Sequence, residues 1–151
     1  MKRTLTTLAT VLCMAGLSSL AQAQEVTWNK DIKPLFDKNC AACHDAATPE
    51  YAQFKKEKEL WLKKGLGMRM ETYSHLVSFV GWPNTGALMR RLDDGNAKAD
   101  KKPGNMYQYL GANEAERQAN LALFKGWIGS WNLKRFNEVA KEDLSAIKVT
   151  Y

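Results

Sequence analysis

The chain has 151 residues, 45% of them hydrophobic, and 22 basic against 16 acidic side chains give it a formal net charge of +6. Five tryptophans and five phenylalanines argue against a disordered chain. The lysines are interspersed with acidic residues and do not form an arginine-rich stripe, so nucleic-acid binding is not expected.

The first 23 residues have the pattern of a secretory signal peptide. Lys2 and Arg3 precede a mostly apolar run over residues 5–20, and an Ala-Gln-Ala sequence ends at Ala23. Thr and Ser interrupt the apolar run, which is too short to span a membrane. We therefore predict residues 1–23 as the signal peptide, cleavage after Ala23 and export to the periplasm. A single domain over residues 24–151, without a transmembrane segment, would remain.

The first half of this domain has helical patterns. Asp31 is the predicted cap of a first helix that runs towards Cys40. A Thr-Pro-Glu sequence that begins at Thr48 predicts the start of a second helix, which ends at Gly65. Thr72 begins a shorter third helix, and a Trp-Pro dipeptide ends it.

The second half of the domain also has helical patterns. The Asn84-Thr85 pair begins a fourth helix that ends near Gly95, and residues 96–111 read as an ordered loop. Asn113, followed three residues later by Glu116, predicts a capping box at the start of the most regular helix of the chain. A short amphipathic stretch and a β-prone end follow. Since no alternating run is long enough to build a sheet, the predicted fold class is all-α.

One motif carries chemistry: Cys40-Ala41-Ala42-Cys43-His44 is a C-x-x-C-H haem-attachment signature. Two thiols at this spacing can add to the two vinyl groups on one edge of the porphyrin, and the following histidine can bind the iron. A zinc site needs about four ligands, and only His75 remains as a further soft donor. A thioredoxin-like dithiol expects a βαβ setting, and a disulfide across two residues would be strained. We predict one covalent haem c on Cys40 and Cys43, with His44 as an axial ligand.

Around this motif the chain resembles the class I monohaem c-type cytochromes. The Asp-Ile-Lys-Pro-Leu-Phe stretch at 31–36 resembles their opening helix, and residues 113–127 resemble their closing helix. Residues 67–73 (Gly-Met-Arg-Met-Glu-Thr-Tyr) and 86–92 resemble segments of the planctomycete-type subgroup. The resemblance implies a cytochrome c fold of about five helices around one haem, and electron transfer as the function.

The sixth iron ligand is less well defined by the sequence. In the subgroup that the chain resembles, a methionine followed by prolines lies just before the last helix. Here Met106 occupies that place without the prolines. A thioether is a soft ligand that raises the potential of haem iron, although methionines also serve as packing residues. Met106 is therefore the predicted distal ligand, and Met89, Met70 and His75 remain alternatives.

Together these features predict an electron carrier that exchanges electrons with periplasmic redox partner proteins and is not itself an enzyme. The alternative is a five-coordinate haem protein that binds a small gas or reduces peroxide. Arginines 69, 90 and 91 are candidates to neutralise haem propionates. The lysines between residues 55 and 64 alternate with glutamates and are predicted to form a solvated helix face.

Overall fold

The computed structural model describes residues 24–151, so the predicted signal peptide and its cleavage site after Ala23 lie outside the described residues. Within residues 24–151 all regular structure is helical, which confirms the all-α prediction. No helix in this part of the chain is long and apolar enough to cross a membrane. Its eight α-helices are α1 (Lys33–Asn39), α2 (Ala41–His44), α3 (Tyr51–Lys56), α4 (Lys58–Lys63), α5 (Tyr73–Val77), α6 (Ala87–Leu92), α7 (Glu114–Ile128) and α8 (Lys141–Ser145).

The first helical segment is capped by Thr27, not by Asp31 as predicted. The Thr27 side chain accepts a hydrogen bond from the Lys30 amide at 3.3 Å, and Asp31 Oδ2 accepts one from the Thr27 amide at 2.8 Å. Asp31 therefore lies inside the first turn, where its carboxylate completes the cap by accepting from the Thr27 amide. The chain makes a π-helical turn over Trp28–Ile32 before it continues as α1.

The helix predicted between Thr48 and Gly65 is two short helices, α3 and α4. Thr48 does not cap it, because its hydroxyl donates to the Asp45 carbonyl at 2.6 Å and holds the preceding turn. Glu57 separates the two helices with φ −120° and ψ 30°. Only Phe54 is buried in α3, and no residue is buried in α4. A continuous helix here would have no apolar face to pack, and packing stabilises most helices in proteins.

Two further boundaries differ from the prediction. α6 begins at Ala87 and not at Asn84-Thr85, since the Thr85 hydroxyl donates to the Gly81 carbonyl in the preceding turn. The predicted loop before α7 contains a short 3-10 helix, Tyr107–Leu110.

The capping box of α7 takes a slightly different form from the one predicted. Asn113 Oδ1 accepts from the Glu116 amide at 2.9 Å, as expected for an N-cap. The Glu116 carboxylate accepts from the amide of Ala112, not of Asn113, at 2.9 Å. The Glu116 carboxylate therefore binds the residue before the N-cap and not the N-cap residue itself.

The C-terminal tail covers the place where the first and last helical segments meet. The Trp28 and Trp127 rings lie 6.0 Å apart, and both side chains are buried. The Thr150 carbonyl accepts hydrogen bonds from the Trp28 amide and from Trp127 Nε1, each at 2.8 Å. The Val149 amide donates to the Trp127 carbonyl at 2.9 Å. The predicted β-prone end thus closes the core by backbone pairing with a helix end, without forming a strand.

Replacement of Trp127 by Phe tests this closure. The variant loses a buried hydrogen bond to the Thr150 carbonyl and leaves a cavity, so we expect the free energy of unfolding to fall by about 1 to 3 kcal/mol. Denaturant unfolding of the holoprotein, followed by circular dichroism, measures the change. Trp82→Phe is the matched control: its side chain is 71% exposed, and its effect should stay within about 0.5 kcal/mol. Equal losses in the two variants would contradict the interpretation.

Candidate haem site

The two motif cysteines lie at the start and within the single turn of α2. The Cys43 amide donates to the Cys40 carbonyl at 3.1 Å, which brings both side chains onto the same short turn. Neither cysteine forms a disulfide. Cys40 packs against the hydrophobic core, whereas Cys43 is exposed. Burial, with a smaller contribution from Cys43, raises the pKa of the Cys40 thiol to about 11.

The imidazole of His44 has a fixed orientation. Its Nδ1 lies 2.7 Å from the carbonyl oxygen of Met68. Because a carbonyl can only accept, Nδ1 carries the proton and the lone pair lies on Nε2. Burial lowers the pKa of His44, against the opposing effect of the Met68 hydrogen bond. The side chain is therefore held as a neutral imidazole with Nε2 available to a metal.

A glycine makes room for this ring. A Cβ at Gly67 would lie 2.2 Å from His44 Cε1 and 2.7 Å from Nδ1, so no larger residue fits there. The backbone around it is tied to the motif: the Gly67 amide donates to the Cys43 carbonyl at 2.8 Å, and the Met70 amide donates to the His44 carbonyl at 3.0 Å. Residues 67–70 thus form a backbone cradle along one side of His44.

These groups fit a covalently attached haem. Two unpaired thiols stand on one turn beside an imidazole whose Nε2 is free, and those are the three groups that attachment requires. A zinc site has no support, because no group of three or more His, Cys, Asp or Glu side chains that could hold a metal ion occurs in residues 24–151. The two cysteines are not joined to each other, so a structural disulfide also has no support.

Met106 lies in the loop between α6 and α7, where its partly buried side chain packs against the hydrophobic core that Cys40 also contacts. Its amide donates to the Arg91 carbonyl at 3.0 Å. Two residues earlier, a Cβ on Gly104 would lie 2.2 Å from the same carbonyl oxygen. The loop is therefore pressed closely against the end of α6 and needs glycine at that position.

Asp93, which the sequence analysis did not single out, closes this loop. It is 2% exposed. Its carboxylate accepts from the Gly95 amide at 2.8 Å and from Trp131 Nε1 at 3.2 Å, and its carbonyl accepts from the Gly104 amide at 2.7 Å. The turn-forming Asp-Asp-Gly sequence could have pointed to a turn at Asp93. Its hydrogen bond to Trp131 could not be predicted, because the two residues lie 38 positions apart in the chain.

The other candidate ligands lie in two settings. Met89 is fully buried in the core and Met70 is also buried. His75 Nδ1 lies 2.8 Å from Thr72 Oγ1, and its Nε2 lies 3.3 Å from Glu50 Oε2. Both nitrogens of His75 therefore belong to a polar surface cluster.

All three arginines considered for propionates have hydrogen-bond partners within the chain. Arg69 pairs with Glu71 and Glu50, and the guanidinium of Arg90 donates to backbone carbonyls, two of them in the tail. Arg91 donates to Asn105 Oδ1 at 2.7 Å. Arg90, Arg91 and Asn105 all line a cavity of about 650 Å³.

Comparison with known proteins gives two matches. The family model for PccH cytochrome c matches residues 27–151. The solved structure of monoheme cytochrome PccH from Geobacter sulfurreducens has 64% sequence identity to the chain and a TM-score of 0.80, and the match covers 85% of this chain and 100% of that one. No match was found among curated proteins.

These matches correct one detail of the resemblance. They support a monohaem cytochrome c but not the planctomycete-type subgroup, consistent with the absence of its prolines after Met106. The family match also covers the tail after Trp131, which lies beyond the closing helix at residues 113–127 that carried the resemblance. The predicted cytochrome c fold and the covalently bound haem c are confirmed, and the chain belongs to the PccH cytochrome c family.

Proposed function

We propose that this chain carries one electron at a time between redox partner proteins in the periplasm, with its haem on Cys40 and Cys43. His44 is the proximal iron ligand and Met106 the distal one. The observation that carries the proposal is the state of His44, whose Nδ1 is bound to a carbonyl at 2.7 Å while Nε2 is left for the iron. Membership of a cytochrome c family supports electron transfer as the general role.

The bound haem would supply the redox change of its iron, and the protein supplies the attachment, the ligands and the polarity around it. The Met68 carbonyl accepts a hydrogen bond from Nδ1–H of His44, which makes Nε2 a stronger electron-pair donor to a metal. The Gly67 cradle prevents the ring from rotating. A ligand held in this way needs little rearrangement when the iron changes charge.

Met106 is the distal ligand that the surroundings favour. Its loop lacks the prolines but is held by two backbone hydrogen bonds. The Gly104 amide donates to the Asp93 carbonyl, and the Met106 amide donates to the Arg91 carbonyl. A thioether on such a loop can stay near the iron in both oxidation states and favours the reduced one. This argues for a carrier with six-coordinate iron, and against an open site for gas or peroxide.

The small number of histidines also argues against the peroxide-reducing alternative. The chain has two histidines, one of them the proximal ligand proposed here. His75 would have to leave Thr72 and Glu50 to act over the iron. We therefore propose no catalytic residue and treat the chain as a carrier.

The attachment residues can be tested one at a time. Cys40→Ala and Cys43→Ala should each remove one thioether, and the double variant should release its haem under denaturing acid extraction because no covalent bond remains. Mass spectrometry of the extracted protein measures bound haem. Cys13→Ala is the control, since Cys13 lies in the predicted signal peptide. Retention of covalent haem by the double variant would refute the assignment.

Met106→Ala tests the distal ligand. The ferric spectrum should lose its methionine charge-transfer band and shift towards a high-spin or water-ligated form. The potential should fall, because a soft ligand that favours Fe(II) is lost, and cyanide should bind faster. Absorption spectroscopy, potentiometry and stopped-flow mixing with cyanide measure the three effects.

Two buried methionines are the controls for Met106. Met89→Ala and Met70→Ala should cost about 2 to 5 kcal/mol of stability with the iron spectrum intact, since both side chains lie in the core. An unchanged six-coordinate spectrum in Met106→Ala defeats the assignment. If Met89→Ala or His75→Ala opened the iron instead, that residue would be the ligand.

Export is tested by deletion of residues 2–23. Covalent haem attachment takes place outside the cytoplasm, so the truncated chain should accumulate as haem-free protein. Replacement of these residues by an unrelated secretory signal peptide should restore the holoprotein in the periplasmic fraction. Haem staining of fractionated cells reports both results. A cytoplasmic product with covalent haem, made without added maturation proteins, would contradict the proposal.

A further inference from the structure

The segment after α7, residues 131–134, is attached to α6 at two points. At the first point Trp131 Nε1 donates to the Asp93 carboxylate at 3.2 Å, and Asp93 is the C-cap residue of α6. Asp93 is buried, so water does not compete for this bond. Lys125 Nζ lies 5.6 Å from the centre of the Trp131 ring, so α7 contacts the same indole. The first point therefore joins the segment to both helices.

The second point is the guanidinium of Arg90, in the last turn of α6. Its Nη1 donates to the carbonyls of Leu133 at 3.2 Å and Lys134 at 2.8 Å. A Cβ on Gly86, the N-cap residue of α6, would lie 2.3 Å from the Lys134 carbonyl oxygen. The segment is therefore pressed against α6 along the length of the helix. We call residues 131–134 the strap.

The end of α6 to which the strap is attached also holds the loop that carries Met106. The Asp93 carbonyl accepts from the Gly104 amide at 2.7 Å, and the Arg91 carbonyl accepts from the Met106 amide at 3.0 Å. In the chain, Arg91 lies between the two residues of α6 that bind the strap. The strap and the loop are therefore held by the same turn of helix.

The outer part of this loop has little support of its own. Residues 96–103, all of them within the described part of the chain, include no buried side chain. Its lysines bond within the loop: Lys98 Nζ donates to the Lys102 carbonyl at 2.5 Å, and Lys101 Nζ donates to the Asn96 carbonyl at 2.7 Å. Segments with few buried contacts open at a low free-energy cost. The loop therefore depends on the places where it is attached to α6.

We propose that the strap keeps Met106 on the haem iron, with Trp131 and Arg90 as positioning residues for the distal ligand. The proposal rests on the proposed function, in which Met106 is that ligand. Loss of the Trp131 hydrogen bond would leave the buried Asp93 carboxylate with one donor fewer, which weakens the turn that holds Gly104. The loop would then open more often, and the iron would lose its sixth ligand more often.

The alternative is that the strap only stabilises the fold as a whole. In that case, an equal loss of stability elsewhere in the protein would affect the iron equally. Trp127 supplies the comparison, because its Nε1 also donates to an oxygen, at 2.8 Å. Its acceptor, the Thr150 carbonyl, belongs to the C-terminal residues and not to the Met106 loop. Trp127→Phe is therefore the matched control for Trp131→Phe.

Cyanide binding to the ferric holoprotein measures how often the iron loses Met106. In stopped-flow mixing with increasing cyanide, the observed rate levels off at the rate at which the protein ligand leaves. We expect Trp131→Phe to raise this limiting rate about tenfold, because a hydrogen bond to a charged acceptor is lost at the attachment of the loop. Trp127→Phe should change it less than about twofold. Both variants should retain the methionine charge-transfer band.

Arg90→Lys tests the second point of attachment. The change keeps the positive charge but replaces a planar guanidinium with a single ammonium group, which cannot bind the same carbonyls in the same geometry. We expect the limiting rate of cyanide binding to rise about fivefold. Arg135→Lys is the control, since it makes the same change on an exposed side chain and should leave the rate as in the wild type.

Amide hydrogen exchange followed by NMR gives a readout that needs no added ligand. The protection of the Gly104 and Met106 amides, which bond to α6, should fall about tenfold in Trp131→Phe. The Gly67 amide, which donates to the Cys43 carbonyl at 2.8 Å, lies in the cradle of His44 and should keep its protection. A uniform fall at all three amides would indicate a general loss of stability and would overturn the proposal.

Met106→Ala distinguishes failure of the strap from failure of the ligand assignment. This variant should bind cyanide faster than either strap variant, and its rate should not level off. If it did so while Trp131→Phe matched the wild type, only the strap would be refuted. Equal increases in Trp131→Phe and Trp127→Phe would refute the strap as well. If Met106→Ala bound cyanide no faster than the wild type, the distal assignment would fail and the strap with it.

Discussion

The hydrogen bond from His44 Nδ1 to the Met68 carbonyl is the contact on which the candidate site depends. It fixes the tautomer and the plane of the imidazole, so it decides which nitrogen faces the iron. The bond is possible because Gly67 has no side chain to displace the ring. The Cys43 and His44 carbonyls accept from Gly67 and Met70, so the whole cradle moves with the motif. The proximal side is therefore built almost entirely from backbone groups.

The loop that holds Met106, the proposed distal ligand, is built by a different principle. Met106 is held by a loop whose ends meet at Asp93 and Gly104, and a buried carboxylate stabilises the turn between them. A buried carboxylate costs free energy unless it is hydrogen-bonded, and here Gly95 and Trp131 supply the donors. The loop thus depends on a residue beyond α7. The segment after α7 therefore contributes, through Trp131, to the position of Met106.

The sequence predicts the short-range features of this chain and not the long-range ones. Cys40, Cys43 and His44 are adjacent, so the chemistry of haem attachment follows from their spacing. The partner of His44 lies 24 residues away and supplies a carbonyl, which every residue carries, so no side-chain pattern marks it. The break between α3 and α4 was missed for a related reason. Helical propensity continues through Glu57, and the break reflects the absence of a core to pack against.

Burial differs between the aromatic cluster under the tail and the haem-attachment motif. In the cluster, Trp28 and Trp127 are buried and Tyr73 packs edge-on against both, beside the Thr150 carbonyl. In the motif, Cys43 is exposed, whereas Cys40 packs against the hydrophobic core. A haem held by both thiols would therefore have one attachment point against the core and the other at the surface of the protein.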